Sequence, residues 1–145
     1  MGILAGSSVR EGQSTPIDVA VGILMRENGE VLLGRRPEGK PYPGYWEFPG
    51  GKVEPGESIE AALKREFIEE LDVTILSQEP WCCVEHVYPH AHVRLHFFIS
   101  QNWQGQPKSR EGQAFAWQGR ILVEPLLPAT IPLIAWLDQR RFSTS

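Results

Sequence analysis

The sequence predicts an α+β domain in which a mixed β-sheet is covered by helices on both sides. A largely β-branched and apolar run at residues 17–25 predicts a central strand that is buried on both faces. Residues 58–71 and 131–141 have helical patterns, and shorter strand-like runs precede and separate them. Strands interrupted by two well-separated helices favour a sheet that has a helix on each side.

Turn and cap residues locate the remaining elements. Asn28-Gly29 between two apolar runs predicts a hairpin, because both residues accept positive φ. Ser58 is a good N-cap for the first helix, and the segment that follows it contains neither Gly nor Pro. Thr130 is the expected N-cap of the last helix, with Pro132 in its first turn. Further strands are predicted at residues 31–33, 81–87, 93–100 and 114–117, with a turn at 88–92.

Length and composition indicate one globular domain. A chain of 145 residues is too short for two independent cores. Residues 1–15 are rich in Gly and Ser and are predicted to form a mobile leader, which leaves 16–142 as the folded domain. We find no secretory signal and no apolar run of about 18 residues, so a cytoplasmic location is expected. The sequence leaves the oligomeric state open, and a monomer is compatible with it.

The only cysteines of the sequence, Cys82 and Cys83, are adjacent. Neighbouring residues of a strand point to opposite faces, so a disulfide between them is not expected. They also lack the spacing of a zinc site, and we predict buried, reduced thiols.

Charge is unevenly distributed along the chain. The formal net charge is −4, but residues 54–72 contain seven acids and two basic residues, a local charge of −5. Four basic residues lie just upstream of this acidic stretch, namely Arg35, Arg36, Lys40 and Lys52. A negative site beside positive side chains is typical of a cation that is bound together with a polyanion. Duplex nucleic acid is not the expected partner, because the sequence has no overall basic character.

The acids of the first helix fall on one face. At 100° per residue, Glu66, Glu69 and Glu70 lie within two turns of each other, and Leu63, Phe67 and Leu71 form an adjoining apolar stripe. Ala62 falls among the acids, where a small side chain would leave room for a bulky group. Three glutamates are often only a solvated face. However, like charges at i and i+4 are unfavourable, and a hard divalent cation is their natural compensation.

Residues 51–73 resemble the Nudix box. The matching positions are Gly51, Glu57, Arg65-Glu66 and Glu69-Glu70, while Asp72 replaces the last Gly of the pattern. A left-handed residue is common just after a helix, and Asp tolerates this conformation at a cost of about 1 kcal/mol. Residues 46–52, 103–107 and 111–113 are similar to the MutT branch of that family. The resemblance implies an α/β/α sandwich that cleaves a nucleoside triphosphate to a monophosphate and pyrophosphate.

The same resemblance implies the residues that bind metal and carry out catalysis. Mg²⁺, or Mn²⁺ in its place, would be bound by the Gly50 carbonyl and by Glu66, Glu69, Glu70 and Glu111. Either Glu66 or Glu111 would orient or deprotonate the attacking water. Glu57 and Arg65 would pair with each other and brace the loop against the helix.

The resemblance also implies which residues would contact the substrate. Arg36 would lie near the phosphates, Phe48 would line the base pocket, and His92 would lie at the pocket rim. Lys52 is either a phosphate contact or a solvated lysine. Thr130 stands near the position of an Asn that reads guanine in MutT enzymes, and a hydroxyl cannot supply the donor and acceptor of an amide.

These departures leave the base open. The leading hypothesis is hydrolysis of 8-oxo-dGTP, which would remove an oxidised precursor from the nucleotide pool for DNA replication. The alternative is the same chemistry on CTP or a modified dCTP. A hypothesis of another class is a non-catalytic Nudix module that binds nucleotides or proteins; such modules usually lose box glutamates, all of which are present here.

Overall fold

The structure, a computed structural model, describes residues 15–110 and 112–142, and most of the predicted leader therefore lies outside the described residues. Its elements follow the predicted order. They are β1 (Ile17–Leu24), β2 (Val31–Arg35), β3 (Trp46–Glu47), β4 (Gly50–Lys52), α1 (Ile59–Leu71), β5 (Thr74–Tyr88), β6 (Ala91–Gln104), β7 (Phe115–Gln118), a 3-10 turn (Pro128–Thr130) and α2 (Ile131–Phe142).

Within the described residues the strands form two sheets. The larger has the order β4-β1-β6-β5, in which β1 and β6 are parallel and the other pairs are antiparallel. The smaller is antiparallel with the order β3-β2-β7. The predicted mixed sheet is therefore confirmed. No helix in the described part of the chain is long and apolar enough to cross a membrane.

Strand β1 shows why the sheet lies between two helices. Ala20 and Leu24 are buried in a core cluster that includes Phe67 of α1. The alternate residues Val21 and Ile23 belong to a second cluster that contains Leu133 and Leu137 of α2. Because successive side chains of a strand point to opposite faces, an apolar run in β1 fills both cores. The predicted sandwich with a helix on each side is confirmed.

The hairpin predicted at Asn28-Gly29 is only partly present. Gly29 has a φ of 91°, and the turn is closed by a bond from the Arg26 N–H to the Glu30 carbonyl. However, the turn is joined only by an isolated bridge between Met25, just after β1, and Val31, and β1 and β2 belong to different sheets. Both edges of β1 are occupied by β4 and β6, so β2 has no edge of β1 with which to pair.

Helix α1 begins and ends as predicted. The Ser58 hydroxyl accepts a hydrogen bond from the Ala61 N–H at 3.1 Å. Asp72 is the C-cap in the left-handed region, with φ 60° and ψ 38°. The prediction that Ala62 leaves room for a bulky group is wrong. Ala62 is fully buried in the same core cluster as Leu63, so no ligand can lie above it. The buried arc of α1 is wider than the predicted stripe, and Glu66 lies within that arc.

Helix α2 begins at Ile131, directly after Thr130 as predicted, and Thr130 itself ends a 3-10 turn that continues into the helix. The prediction that both thiols are buried is wrong. Cys83 is exposed and Cys82 is only half-buried, so the thiols are not both core residues. Burial raises the pKa of both thiols, which are free within the described chain. Cys82 packs against the core cluster that contains α2, whereas Cys83 is on the opposite face of β5 and is exposed.

Candidate active site

A cavity of about 700 Å³ opens on the α2 side of the larger sheet. Its floor is one face of the parallel pair β1–β6, where Val19 lies beside Leu95 and Val21 lies beside Phe97. One wall is formed by β4 and the glutamates of α1, and the opposite wall by Tyr88, Ala129 and Thr130. The cavity therefore joins an acidic region to an apolar one.

The acidic wall contains the three helix glutamates that the sequence predicted. Glu66, Glu69 and Glu70 all line the cavity beside Gly50, Gly51 and Lys52. The side chain of Glu66 is 14% exposed, whereas that of Glu69 is 58% exposed. Helical spacing places the three carboxylates along one edge of α1, where the helix packs against the glycine strand β4.

Gly50 and Gly51 of β4 are each required to be glycine, but for different physical reasons. A Cβ on Gly50 would lie 2.1 Å from the Ala20 carbonyl oxygen, so this glycine allows β4 to approach β1. A Cβ on Gly51 would lie 2.1 Å from the carboxyl carbon of Glu66. The space left by the missing side chain of Gly51 is therefore filled by the Glu66 carboxylate.

Arg65 braces this arrangement. Its guanidinium donates to both carboxylate oxygens of Glu57, at 2.6 and 2.9 Å, which is the predicted pairing. It also donates to the Lys52 carbonyl at 3.0 Å, to Glu66 at 2.9 Å and to Glu69 at 3.2 Å. One side chain therefore ties the loop before α1, strand β4 and two of the glutamates together.

The Glu57–Arg65 pair predicts an acid-sensitive contribution to stability. The hydrogen bond from Arg65, with a second from the Glu54 N–H, lowers the pKa of Glu57 from 4.5 to about 2. Since the folded pKa lies below the unfolded value, the stabilisation is complete above pH 4.5 and is lost as the pH falls toward 2. Glu57→Gln should make the free energy of unfolding, measured by urea denaturation, less dependent on pH across that interval. An unchanged acid slope would show that the pair contributes nothing.

The acidic wall offers donors that suit a divalent cation. Carboxylate and carbonyl oxygens are the ligands that hard cations prefer. In the described residues, however, no group of three or more His, Cys, Asp or Glu side chains is assembled for a metal ion. Arg65 draws Glu66 and Glu69 toward itself, so metal binding would require these side chains to turn. The predicted ligand Glu111 lies outside the described residues.

Arg36 lines the cavity, but its side chain is already engaged. It is 16% exposed and donates to the Pro41 carbonyl at 2.6 Å and to Glu47 at 2.8 Å. Burial raises the pKa of Glu47, and the Arg36 charge acts in the opposite direction. Sequence reasoning missed Glu47, although its position next to Phe48 was a usable signal. Lys52 is exposed, and Lys40 and Arg35 also line this part of the cavity.

The apolar wall contains Phe48 and Thr130, both of which are buried and line the cavity. Phe48 also belongs to the core cluster that contains α2, so it both packs in the core and lines the cavity. Tyr88 adds an aromatic surface, and its hydroxyl accepts a hydrogen bond from the Ala129 N–H at 3.1 Å. Ala91 is a further lining residue.

His92 is not among the residues that line the cavity. Its Nε2 lies 3.0 Å from Glu85 on the neighbouring strand. Val93 and Leu95 face the cavity, and strand alternation therefore turns His92, Arg94 and His96 to the opposite face. His90, in the turn before β6, lines the cavity instead. The rim position predicted for His92 is therefore occupied by His90.

Residues 105–110, which follow β6, dock on the end of α1. The Lys108 N–H donates to the Leu71 carbonyl at 2.9 Å, and the Arg110 N–H donates to the Glu70 carbonyl at 3.3 Å. These bonds satisfy carbonyls that a helix end leaves without intrahelical partners. Gln113, which shortly precedes β7, lines the cavity. Sequence patterns did not predict this contact, because it depends on packing between distant residues.

Comparison with known proteins agrees with this geometry. The NUDIX domain family profile matches residues 16–137. The 8-oxo-dGTP diphosphatase of Escherichia coli K12 is 35% identical over 125 residues, which cover 85% of this chain and 97% of that protein. The CTP pyrophosphohydrolase of the same strain is 37% identical over 120 residues, covering 81% and 88% respectively. The MutT NUDIX hydrolase structure from Burkholderia pseudomallei has a TM-score of 0.77 at 27% identity, covering 84% and 98%.

The family match covers both helices of the sandwich up to Leu137 and includes the whole acidic wall of the cavity. The chain belongs to the Nudix family.

Proposed function

We propose that the chain is a Mg²⁺-dependent pyrophosphohydrolase that converts a nucleoside triphosphate to a monophosphate and pyrophosphate. The observation that carries this proposal is the composition of one cavity of about 700 Å³. Glu66, Glu69 and Glu70 line one wall, while Phe48 and Tyr88 line the apolar part. A triphosphate and a nucleobase require these two surroundings within the reach of a single molecule.

Glu66, Glu69, Glu70 and the Gly50 carbonyl are the groups that would hold the divalent metal. When bound there, the metal would offset the charge of the phosphates and lower the pKa of a coordinated water. Arg65 donates to both Glu66 and Glu69, and it also donates to Glu57 in the loop before α1. Arg65 and Glu57 thus position the acidic wall rather than contact the substrate.

The proton of the attacking water needs an acceptor near this wall. Glu66 is one candidate, since its carboxylate lies against Gly51 at the edge of the cavity. Glu111 is the other, and its assignment stays a prediction from resemblance. Arg36 supports phosphate binding by its charge, although its present bonds to Glu47 and Pro41 leave it fewer donors for a phosphate.

We propose 8-oxo-dGTP as the preferred substrate. The relative that carries this activity in its name aligns over 97% of its own length. CTP or a modified dCTP is the second candidate, because the relative named CTP pyrophosphohydrolase is 37% identical. Thr130 also favours keeping this candidate, because it lines the cavity and a hydroxyl cannot supply the donor and acceptor of an amide.

A panel of triphosphates tests the substrate. We expect kcat/KM to be highest for 8-oxo-dGTP when it is compared with dGTP, CTP and 5-methyl-dCTP at equal Mg²⁺. A higher value for either cytosine nucleotide would replace the leading choice by the second. Absence of pyrophosphate release from every member would reject the proposed activity itself.

Residues 16–142 are proposed as the catalytic unit. The cytoplasmic location and the lack of affinity for duplex nucleic acid stay predictions, and the oligomeric state stays open.

A further inference from the structure

The hydroxyl of Tyr88 connects two segments that line the cavity. Tyr88 is the last residue of β5, and Ala129 lies in the 3-10 turn that precedes α2. The Tyr88 oxygen accepts the Ala129 N–H at 3.1 Å, and both residues are buried. This bond joins parts of the chain that are 41 residues apart.

The bond satisfies a donor that the turn cannot satisfy by itself. The first N–H groups of a helical turn have no intrahelical acceptor. Pro128 has no N–H, and the N–H groups of Thr130 and Ile131 bond to Leu127 and Pro128. The N–H of Ala129 is thus the donor that needs an outside acceptor, and a buried donor without one is unfavourable.

The turn is fixed from two sides. The Leu127 N–H donates to the Trp46 carbonyl at 2.9 Å, which attaches the start of the turn to β3. Tyr88 holds its middle, and the Tyr88 ring is itself packed between Tyr42 and His90, at centroid distances of 5.5 and 5.3 Å. The residue that follows Ala129 is Thr130, whose buried side chain lines the cavity.

We propose that Tyr88 is a positioning residue for nucleoside recognition, which holds the turn that presents Thr130 to the cavity. This proposal rests on the proposed function. In it, the turn that Tyr88 holds sets the base preference of the same site. Tyr88 acts through the turn and not on the reacting phosphates, because its hydroxyl is bonded to the Ala129 backbone and its ring lies at the wall opposite the glutamates. Its loss should therefore affect nucleotide binding more than the chemical step.

Tyr88→Phe removes the acceptor and keeps the ring. We expect KM for the best triphosphate to rise about five- to tenfold, in line with the loss of one buried hydrogen bond, and kcat to stay within about twofold. The kcat/KM ratio between 8-oxo-dGTP and CTP should move toward one. Tyr45→Phe is the matched control, since Tyr45 packs on the same aromatic cluster but does not line the cavity; it should leave all values unchanged.

Two further measurements separate positioning from a merely structural role. In a Thr130→Val background, Tyr88→Phe should change kcat/KM less than in the wild type, because the two effects share one path. Amide hydrogen exchange at Ala129 should be faster in Tyr88→Phe and unchanged in Tyr45→Phe. An unchanged KM and base ratio, an equal effect of Tyr45→Phe, or full additivity with Thr130→Val would overturn the proposal.

Failure of the proposed function would be recognised separately. If the wild type released no pyrophosphate from any triphosphate, binding of 8-oxo-dGMP and CMP would be measured by calorimetry. Weaker binding to Tyr88→Phe than to Tyr45→Phe would still support positioning by Tyr88. Equal affinities, or no binding by the wild type, would reject it.

Discussion

Replacement of Glu70 by glutamine is expected to lower kcat for pyrophosphate release by about 100- to 1,000-fold, the size found when one preorganised electrostatic group is removed from a reaction centre. Glu70 lines the cavity on the acidic wall, and glutamine keeps its volume but removes its charge. The free energy of unfolding should stay close to that of the wild type. The Mg²⁺ concentration for half-maximal rate should rise, because one hard oxygen donor is lost.

Glu60→Gln is the matched control for this experiment. Glu60 lies in the first turn of the same helix, is exposed and does not line the cavity. The same chemical change at this position should leave both the rate and the Mg²⁺ requirement unaltered. Hydrolysis by Glu70→Gln at the wild-type rate would show that the acidic wall is not the metal site.

Gly51→Ala is expected to inactivate the protein without unfolding it. The new Cβ would meet the carboxyl group of Glu66 at 2.1 Å, and this group is the end of a flexible side chain that can turn away. The displaced carboxylate would leave its place between Gly51 and Arg65. We expect kcat to fall by about 100-fold, comparable to the loss of a positioned catalytic base, while Tm changes little. Steady-state kinetics and thermal denaturation measure the two effects.

Two alanine variants complete this test. Gly50→Ala would bring a Cβ within 2.1 Å of the Ala20 carbonyl, and backbone cannot turn away as a side chain can. It should therefore destabilise the fold by about 1–3 kcal/mol, the usual cost of overpacking. A Cβ on Gly119 meets nothing within 4 Å, so Gly119→Ala should be neutral. If Gly51→Ala kept full activity, the position of the Glu66 carboxylate would have no part in catalysis.

The acidic helix shows how far local patterns reach. Ser58, the absence of Gly and Pro, and the spacing of Glu66, Glu69 and Glu70 are local properties, and they predicted both the bounds of α1 and its acidic edge. The left-handed Asp72 was predicted for the same reason. Each feature depends on residues within a few turns of one another, so a single stretch of sequence contains all the information that is needed.

Contacts between distant segments could not be predicted in this way. Glu47 of β3 pairs with Arg36, just after β2, and this engages an arginine that resemblance assigned to the phosphates. The face on which His92 lies depends on the register between β5 and β6, in which His92 lies opposite Val87. A shift of one residue reverses every side chain of a strand, and no local pattern set that register. Thr130 lines the cavity, and the 3-10 turn that carries it is bonded to Tyr88, a contact that no local pattern predicts.

The most direct test of the proposed activity is product analysis with 8-oxo-dGTP. Phosphorus NMR should show pyrophosphate and 8-oxo-dGMP in equal amounts, formed only when Mg²⁺ is present and stopped by EDTA. This result would place cleavage between the α- and β-phosphates, as the proposed function requires. Formation of orthophosphate and a diphosphate, or product formation at the same rate in EDTA, would contradict it.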